Sequence, residues 1–476
     1  MSDILSVGID IGTSTTQLVF SRISMENTSG YFTVPKISIV DKEVIYKSDV
    51  YITPLATQVL INGDAVREIV AKEFKKAGFT PADVDTGAVI ITGESARKEN
   101  AAAVLEKLSN FAGEFVVSTA GPDLESIIAG KGSGAFQYSI DNSCVAANLD
   151  IGGGTTNIVV FDCGEVIAKG CLDIGGRLIR VSRDMTVEYV SPAAKAVADT
   201  VGVRVERGQK TSLETLRAVT DKMAELLAEA MYVKAAEPLL RKVQTPESTW
   251  LEQPPRKISR ICFSGGVADC IEKSPTDPIA YGDIGVLLGE SIRKGELVRA
   301  IPVIQGGETI RATVVGAGTY TTSISGSTIA YSEGLFPMKN VPALKLSLAE
   351  QDECFAGRSE ALAEKIRWFM EQSSAERIIL ALPGRENPGY EELKMLAAGL
   401  GRAMEAALPR EAPALVVLEQ DIAKALGLQL RRELSPGRKM VCIDSIKVDQ
   451  GDYVDMGRPV LGGLVIPVVV KTLLFG

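Results

Sequence analysis

The stretch Asp150-Ile151-Gly152-Gly153-Gly154-Thr155-Thr156 sets a carboxylate at the end of an apolar run, then three glycines, then two threonines. Glycine lets the backbone reach conformations that a Cβ forbids. A turn built this way aims several N–H groups into one concavity, a known way of holding phosphate. A carboxylate beside it can hold a metal ion that bridges phosphate oxygens. The pattern occurs twice. Asp10-Ile11-Gly12-Thr13-Ser14-Thr15-Thr16 matches it in register, Asp10 with Asp150, Gly12 with Gly152, Thr15 with Thr155 and Thr16 with Thr156. One aspartate–glycine turn is a common signal of any turn. Two copies in register, each between β-type runs, predict a duplicated domain whose two phosphate loops face one cleft. A third stretch, Ser264-Gly265-Gly266, follows a predicted strand over Lys257 to Phe263 and opens a predicted helix. The unpaired N–H groups of such a helix start suit an anion or a nucleotide.

Composition removes several alternatives. The chain has 476 residues and no histidine. Ser-His-Asp and Cys-His catalysis are therefore excluded, as are the usual zinc hydrolase ligand sets. A general base here is a carboxylate, Lys, Tyr or Cys. Seven cysteines, at 144, 163, 171, 262, 270, 354 and 442, form no C-x-x-C and no zinc spacing. The odd count and the absence of a basic n-region after Met1 predict reduced thiols and a cytoplasmic location. A net charge of −9 and a pI near 5.1 argue against nucleic-acid or membrane partners. Gly130-Lys131-Gly132-Ser133 lacks the spacing of a nucleotide P-loop and reads as a helix stop.

These motifs need elements to position them. The length suits about three domains. The predicted fold class is α/β, with two duplicated domains around a cleft, over 1–144 and 145–336, and a C-terminal α/β domain over 343–476. Strands are expected at Ser6 to Gly12, Thr16 to Ile23 and Val84 to Thr92, and a meander over Asn148 to Ile151, Thr156 to Asp162 and Val166 to Asp173. Ile174-Gly175-Gly176 is expected to lead into a helix from Arg177. The Gly/Ser/Thr-rich run from Arg311 to Ile329 offers small residues where another backbone or a nucleotide can approach. Pro337 to Pro342 reads as a linker, and the remainder alternates strand and helix.

Two D-x-G loops with a later S-G-G resemble the actin, heat-shock-70 ATPase and hexokinase superfamily. The resemblance implies Mg-ATP in the cleft. Asp10 and Asp150 would hold Mg²⁺. Gly12, Thr13, Ser14 and Thr15 would grip the phosphates from one side, and Gly152, Gly153, Gly154, Thr155 and Thr156 from the other. Ser264, Gly265 and Gly266 would approach the adenosine end. Longer stretches are similar to the ethanolamine ammonia-lyase reactivating factors. They are I-T-G-E-S-A-R-K-E-N (91–100), S-T-A-G-P-D-L-E-S-I-I-A-G-K-G-S-G-A (118–135), L-D-I-G-G-G-T-T-N-I-V-V-F-D-C-G (149–164), G-D-I-G-V-L-L-G-E-S-I (282–292) and A-T-V-V-G-A-G-T-Y-T-T-S-I-S-G-S-T (312–328). This likeness implies an ATP-driven chaperone that releases damaged cobalamin from an adenosylcobalamin-dependent lyase, with association to a bacterial microcompartment left open. The competing readings are a small-molecule kinase of the same superfamily and an actin-like filament protein. Glu94, following the strand that ends at Thr92, is the expected water-positioning base, its alternative being a glutamate at a helix start.

Overall fold

The computed structural model describes residues 2–12, 15–28, 37–57, 60–92, 100–101, 103–104, 108, 116–119, 122–245, 256–304, 308–320, 323–326, 328–373 and 375–472. Glu94, Thr13 and Ser14 lie outside them.

The first sheet grows from β1 (Ser2–Ile11), β2 (Thr15–Asn27) and β3 (Ile37–Lys47), an antiparallel meander. A short strand β4 (Tyr51–Ile52) pairs with β2. On the other side of β1 lie β5 (Thr86–Ile91) and β6 (Val116–Thr119), both parallel to it, giving the order β3-β2-β1-β5-β6. Val7, Ile9 and Ile11 alternate along β1 and pack with Val66, Val70 and Phe74 of helix α1 (Gly63–Ala77). That helix starts at Asn62, whose Oδ1 accepts the Ala65 N–H at 3.1 Å, and stops at Gly78, which takes a left-handed φ of 78°.

The chain then crosses through α2 (Pro122–Gly132) and α3 (Ala135–Asp141) to the second sheet. Here β7 (Val145–Ile151), β8 (Thr156–Asp162) and β9 (Glu165–Leu172) form the expected meander, and β10 (Arg260–Ser264) lies parallel to β7. The order β9-β8-β7-β10 repeats β3-β2-β1-β5. The same meander with a parallel neighbour therefore occurs twice, each time with the aspartate strand in the middle. Between β9 and β10 the capped helix α4 (Leu213–Ala230) covers the sheet. Beyond β10 come α5 (Gly266–Glu272) and α6 (Gly285–Lys294).

The helix expected from Arg177 is absent. Residues 179–181 instead pair with 187–190 as a short hairpin. Two β-branched side chains, Ile179 and Val181, point inward there and favour a strand. The Gly/Ser/Thr-rich run begins with helix α7 (Ala312–Tyr320), and what approaches it is backbone. A Cβ on Gly132 would stand 1.8 Å from the Ala312 carbonyl oxygen, and one on Gly316 2.0 Å from that of Ile128. On its other side α7 lies against β1, where a Cβ on Gly8 would meet the Val314 oxygen at 2.4 Å.

The third sheet begins earlier than expected. It has the order β11-β18-β17-β13-β14-β15-β16-β12. These are β11 (Ser323–Ile324), β12 (Ala330–Tyr331), β13 (Met338–Lys345), β14 (Ile379–Leu382), β15 (Ala414–Leu418), β16 (Met440–Ile443), β17 (Asp452–Met456) and β18 (Pro467–Thr472). The expected linker over 337–342 is the start of β13, a central strand. Its Pro342 sits in the antiparallel ladder opposite Tyr453 rather than in a loop. Strands β13 to β16 are parallel and carry the alternating helices α8 (Leu348–Phe355), α9 (Glu360–Ser373), α10 (Tyr390–Ala407) and α11 (Ala423–Glu433) on one face.

Candidate functional site

Because β1 and β7 occupy equivalent places, their ends carry Asp10 and Asp150 to one cleft of about 470 Å³. Both turns close alike. Gly12 N–H donates to the Thr15 oxygen, and Gly152 N–H to the Thr155 oxygen, each at 2.9 Å. The parallel neighbour of each strand then supplies a hydroxyl. Thr92 Oγ1, just beyond β5, donates to Asp10 Oδ1 at 3.0 Å, and Ser264 Oγ, ending β10, donates to Asp150 Oδ1 at 2.6 Å. Asn148 Nδ2 donates to Ser264 Oγ at 2.9 Å and fixes that hydroxyl.

The carboxyl groups are nearly sealed, Asp10 being 8 % and Asp150 6 % exposed. Burial pushes Asp10 up to about 7, against the Thr92 hydrogen bond and aided by the charge of Asp150. Burial likewise pushes Asp150 up to about 6, against hydrogen bonds from Ser264 and Thr313. Among the described lining residues, Asp10, Glu125, Asp150, Asp269 and Asp283 bear carboxyls, and Arg177 is the one basic side chain. A polyanion entering such a cleft needs a cation with it. The fit for Mg²⁺ is good. Two carboxylates face the same space, and Mg²⁺ uses few protein ligands while keeping waters and phosphate oxygens. Among the described residues no three Cys, Asp or Glu side chains gather as a closed metal cage.

The glycines act through their size. None of Gly152, Gly153 and Gly154 takes the left-handed backbone that the triplet suggests. A Cβ on Gly152 would meet only the Thr155 oxygen at 3.6 Å, so its absence keeps the cleft wall open. Gly265 does take φ 84°, and a Cβ there would stand 2.4 Å from the Ile151 oxygen, which lets the Ser264 turn lie on the Asp150 turn. Gly265 and Gly266 line the cleft, whereas Ser264 is fully buried and serves Asp150. Thr15 and Thr155 line it too. Thr156 turns inward, its hydroxyl donating to the Ile174 oxygen at 2.7 Å, and Thr16 meets Thr53 Oγ1 at 3.1 Å.

Several contributors escape the sequence reading. Arg177 N–H donates to the Gly153 oxygen at 2.7 Å, and its Nε lies 3.9 Å from Asp283 Oδ2. Asp283 Oδ1 accepts the Gly285 N–H at 2.9 Å. Burial pushes the Asp283 carboxyl up to about 6, opposed by that N–H and by Arg177. A signal for Arg177 was the glycine pair before it, read as a helix start. The matched Thr92-Gly93 and Ser264-Gly265, each after an apolar strand, are a signal for the two hydroxyls.

The chain is 36% identical over 472 residues to a protein of Salmonella typhimurium strain LT2 named "Ethanolamine ammonia-lyase reactivase EutA", covering 99% of this chain and 98% of that one. The protein of the same name from Escherichia coli K12 is 36% identical over 476 residues, with the same coverage. Among solved structures, a PPX-GPPA enzyme of Aquifex aeolicus overlays with a TM-score of 0.36 at 18% identity, over 67% of this chain and 90% of that one, too loosely to carry an argument. The family model described as "Ethanolamine utilisation protein EutA" matches residues 2–476, and the chain belongs to that family.

Proposed function

We propose that this protein is an ATP-dependent reactivating factor for ethanolamine ammonia-lyase, releasing damaged cobalamin so that intact adenosylcobalamin binds. The observation that carries the nucleotide half of this reading is the pair of buried aspartates brought to one cleft by two copies of one sheet. When bound, Mg-ATP would supply a phosphoryl group for transfer to water, its metal neutralising charge on the β- and γ-phosphates. Asp10 and Asp150 would hold the metal. The turns at Gly12–Thr15 and Gly152–Thr155 receive the phosphates, and Thr92 and Ser264 keep each carboxylate aimed. Arg177 adds a fixed positive charge beside the second turn. Glu94, two residues beyond Thr92, positions the attacking water. The lyase half of the reading is supported by full-length similarity to proteins named as its reactivases. Among the described residues nothing in the site favours a kinase acceptor or a filament contact.

The test is incubation of cobalamin-inactivated ethanolamine ammonia-lyase with the protein, Mg-ATP and fresh adenosylcobalamin. Activity should return only when all are present. Recovery that is equal without the protein, or equal without nucleotide, would overturn the reading.

A further inference from the structure

Strands β7 and β8 pair in register up to Val145 opposite Asp162. Just beyond these last paired residues, Cys163 N–H donates to the Cys144 oxygen at 3.4 Å. Their Cα spacing, about 5.5 Å for a hydrogen-bonded pair, falls inside the range a disulfide spans. Both thiols can be reached, Cys163 being exposed and Cys144 half-buried, while the other five cysteines are buried.

Packing does not account for a cysteine at 163. It holds φ 50°, followed by Gly164 at 88°, in the tight turn joining β8 to β9. Such turns favour Asn, Asp or Gly at the first position. An exposed thiol there recovers no burial in return.

We propose that Cys144 and Cys163 form a thiol–disulfide modification site, closed by a small-molecule disulfide of the glutathione class and reopened by a thiol. In the first step the Cys163 thiolate attacks the small disulfide, giving a mixed disulfide and one released thiol. The Cys144 thiolate then attacks the Cys163 sulfur and displaces the second. Two protein thiols are oxidised, one small disulfide is reduced to two thiols, and the protons balance. The bond would tie the hairpin tip to the end of α3, where Cys144 N–H donates to the Ser139 oxygen at 3.0 Å and Gly164 N–H to Ser139 Oγ at 2.9 Å. That helix is the second of the two that carry the chain between the first and second sheets.

The test is treatment of the full chain with excess glutathione disulfide, then alkylation and peptide mass spectrometry. Wild type should give a peptide linked through 144 and 163, two hydrogens lighter, with no glutathione retained at either position. Cys144→Ser should retain one glutathione at Cys163, and Cys163→Ala should give no linked peptide. Stable glutathione on Cys163 of wild type with Cys144 alkylated, or alkylation of both residues, would overturn the proposal.

Discussion

Two carboxyl groups sealed into one cleft with raised proton affinity gain little as structural elements, because a buried charge without a compensating partner is costly. Replacing either by an amide of the same shape removes that cost and, with it, the proposed metal grip. Asp10→Asn and Asp150→Asn should each slow ATP turnover at least tenfold, about 1.4 kcal/mol of barrier, without lowering the denaturation midpoint of the nucleotide-free protein. Wild-type turnover in both variants would leave the aspartates as mere turn residues. Glu94→Gln should keep ATP affinity and slow hydrolysis, read by single-turnover kinetics. Unchanged hydrolysis with reduced stability would make Glu94 a helix-start residue instead. A separate buried acid tests the electrostatics away from the cleft. Asp444, fully buried at the end of β16, accepts the Ala423 N–H at 2.7 Å. Burial pushes it up to about 6, opposed by that N–H and helped by Asp421. Its folded value lies above its unfolded one, so the native state holds the proton more tightly and stability falls as pH rises from about 4 through 6. Asp444→Asn should flatten that fall by about 2 kcal/mol, measured by urea unfolding at pH 4.5 and 7.5. The two cleft aspartates were legible in the sequence because a duplicated motif marks itself. Arg177 and Thr92 carry only a local signal, the glycines beside them, and Asp283 less, since each becomes a site residue only through a neighbouring strand or turn distant in the chain.

The elements that matter most to the site are those whose backbones touch. Helix α7 is wedged between β1 and α2, and at each contact a glycine stands where a Cβ would overlap a carbonyl oxygen. Thr313 on this helix reaches Asp150, Gln17 Nε2 donates to the Ile310 oxygen at 3.3 Å just before it, and Ser6 Oγ donates to the Gly318 oxygen at 2.5 Å. One helix thus touches both aspartate strands or their neighbours. Gly316→Ala should destabilise the protein by roughly 1–3 kcal/mol through forced backbone separation, seen as a lower urea midpoint. Gly266→Ala is the contrast, because a Cβ there meets open space beside the cleft. It should leave the midpoint within about 0.5 kcal/mol and weaken ATP binding. Equal effects on stability in the two variants would remove the distinction between packing glycines and cleft glycines. The meander strands could be read from alternation and β-branching alone. The hairpin at 179–190 and the strand at 338–345 could not, because short apolar segments with glycine or proline nearby signal loops locally, and tertiary pairing overrides that signal.

At the scale of the whole molecule, a nucleotide gripped from two walls would make its phosphate chain a determinant of how the walls stand. We propose that the sheets of regions 1–144 and 145–336 act as the two jaws, with the third sheet, which takes β11 and β12 from the end of the second region, as a further domain reached through α7. A ligand shifts such an equilibrium only by its differential affinity for the two arrangements. Moving the cleft from 1:99 to 99:1 open to closed requires about 5.5 kcal/mol. A few charge-assisted hydrogen bonds at about 1.5–3 kcal/mol each supply it, provided the γ-phosphate bonds both walls only when they are close. Loss of that phosphate then releases the closure. One nucleotide state should accordingly hold the lyase and open its cobalamin site, and the other should let go. With no histidine in the chain, an imidazole to ligate cobalt is missing on this side. Damaged cobalamin should therefore pass into solution rather than onto this protein. Gel filtration after mixing inactivated lyase, this protein and Mg-ATP distinguishes the outcomes. Cobalamin eluting as a free small molecule, in amounts that depend on the nucleotide added, is the expected result, and cobalamin co-eluting with this chain, or release indifferent to nucleotide, would defeat the mechanism.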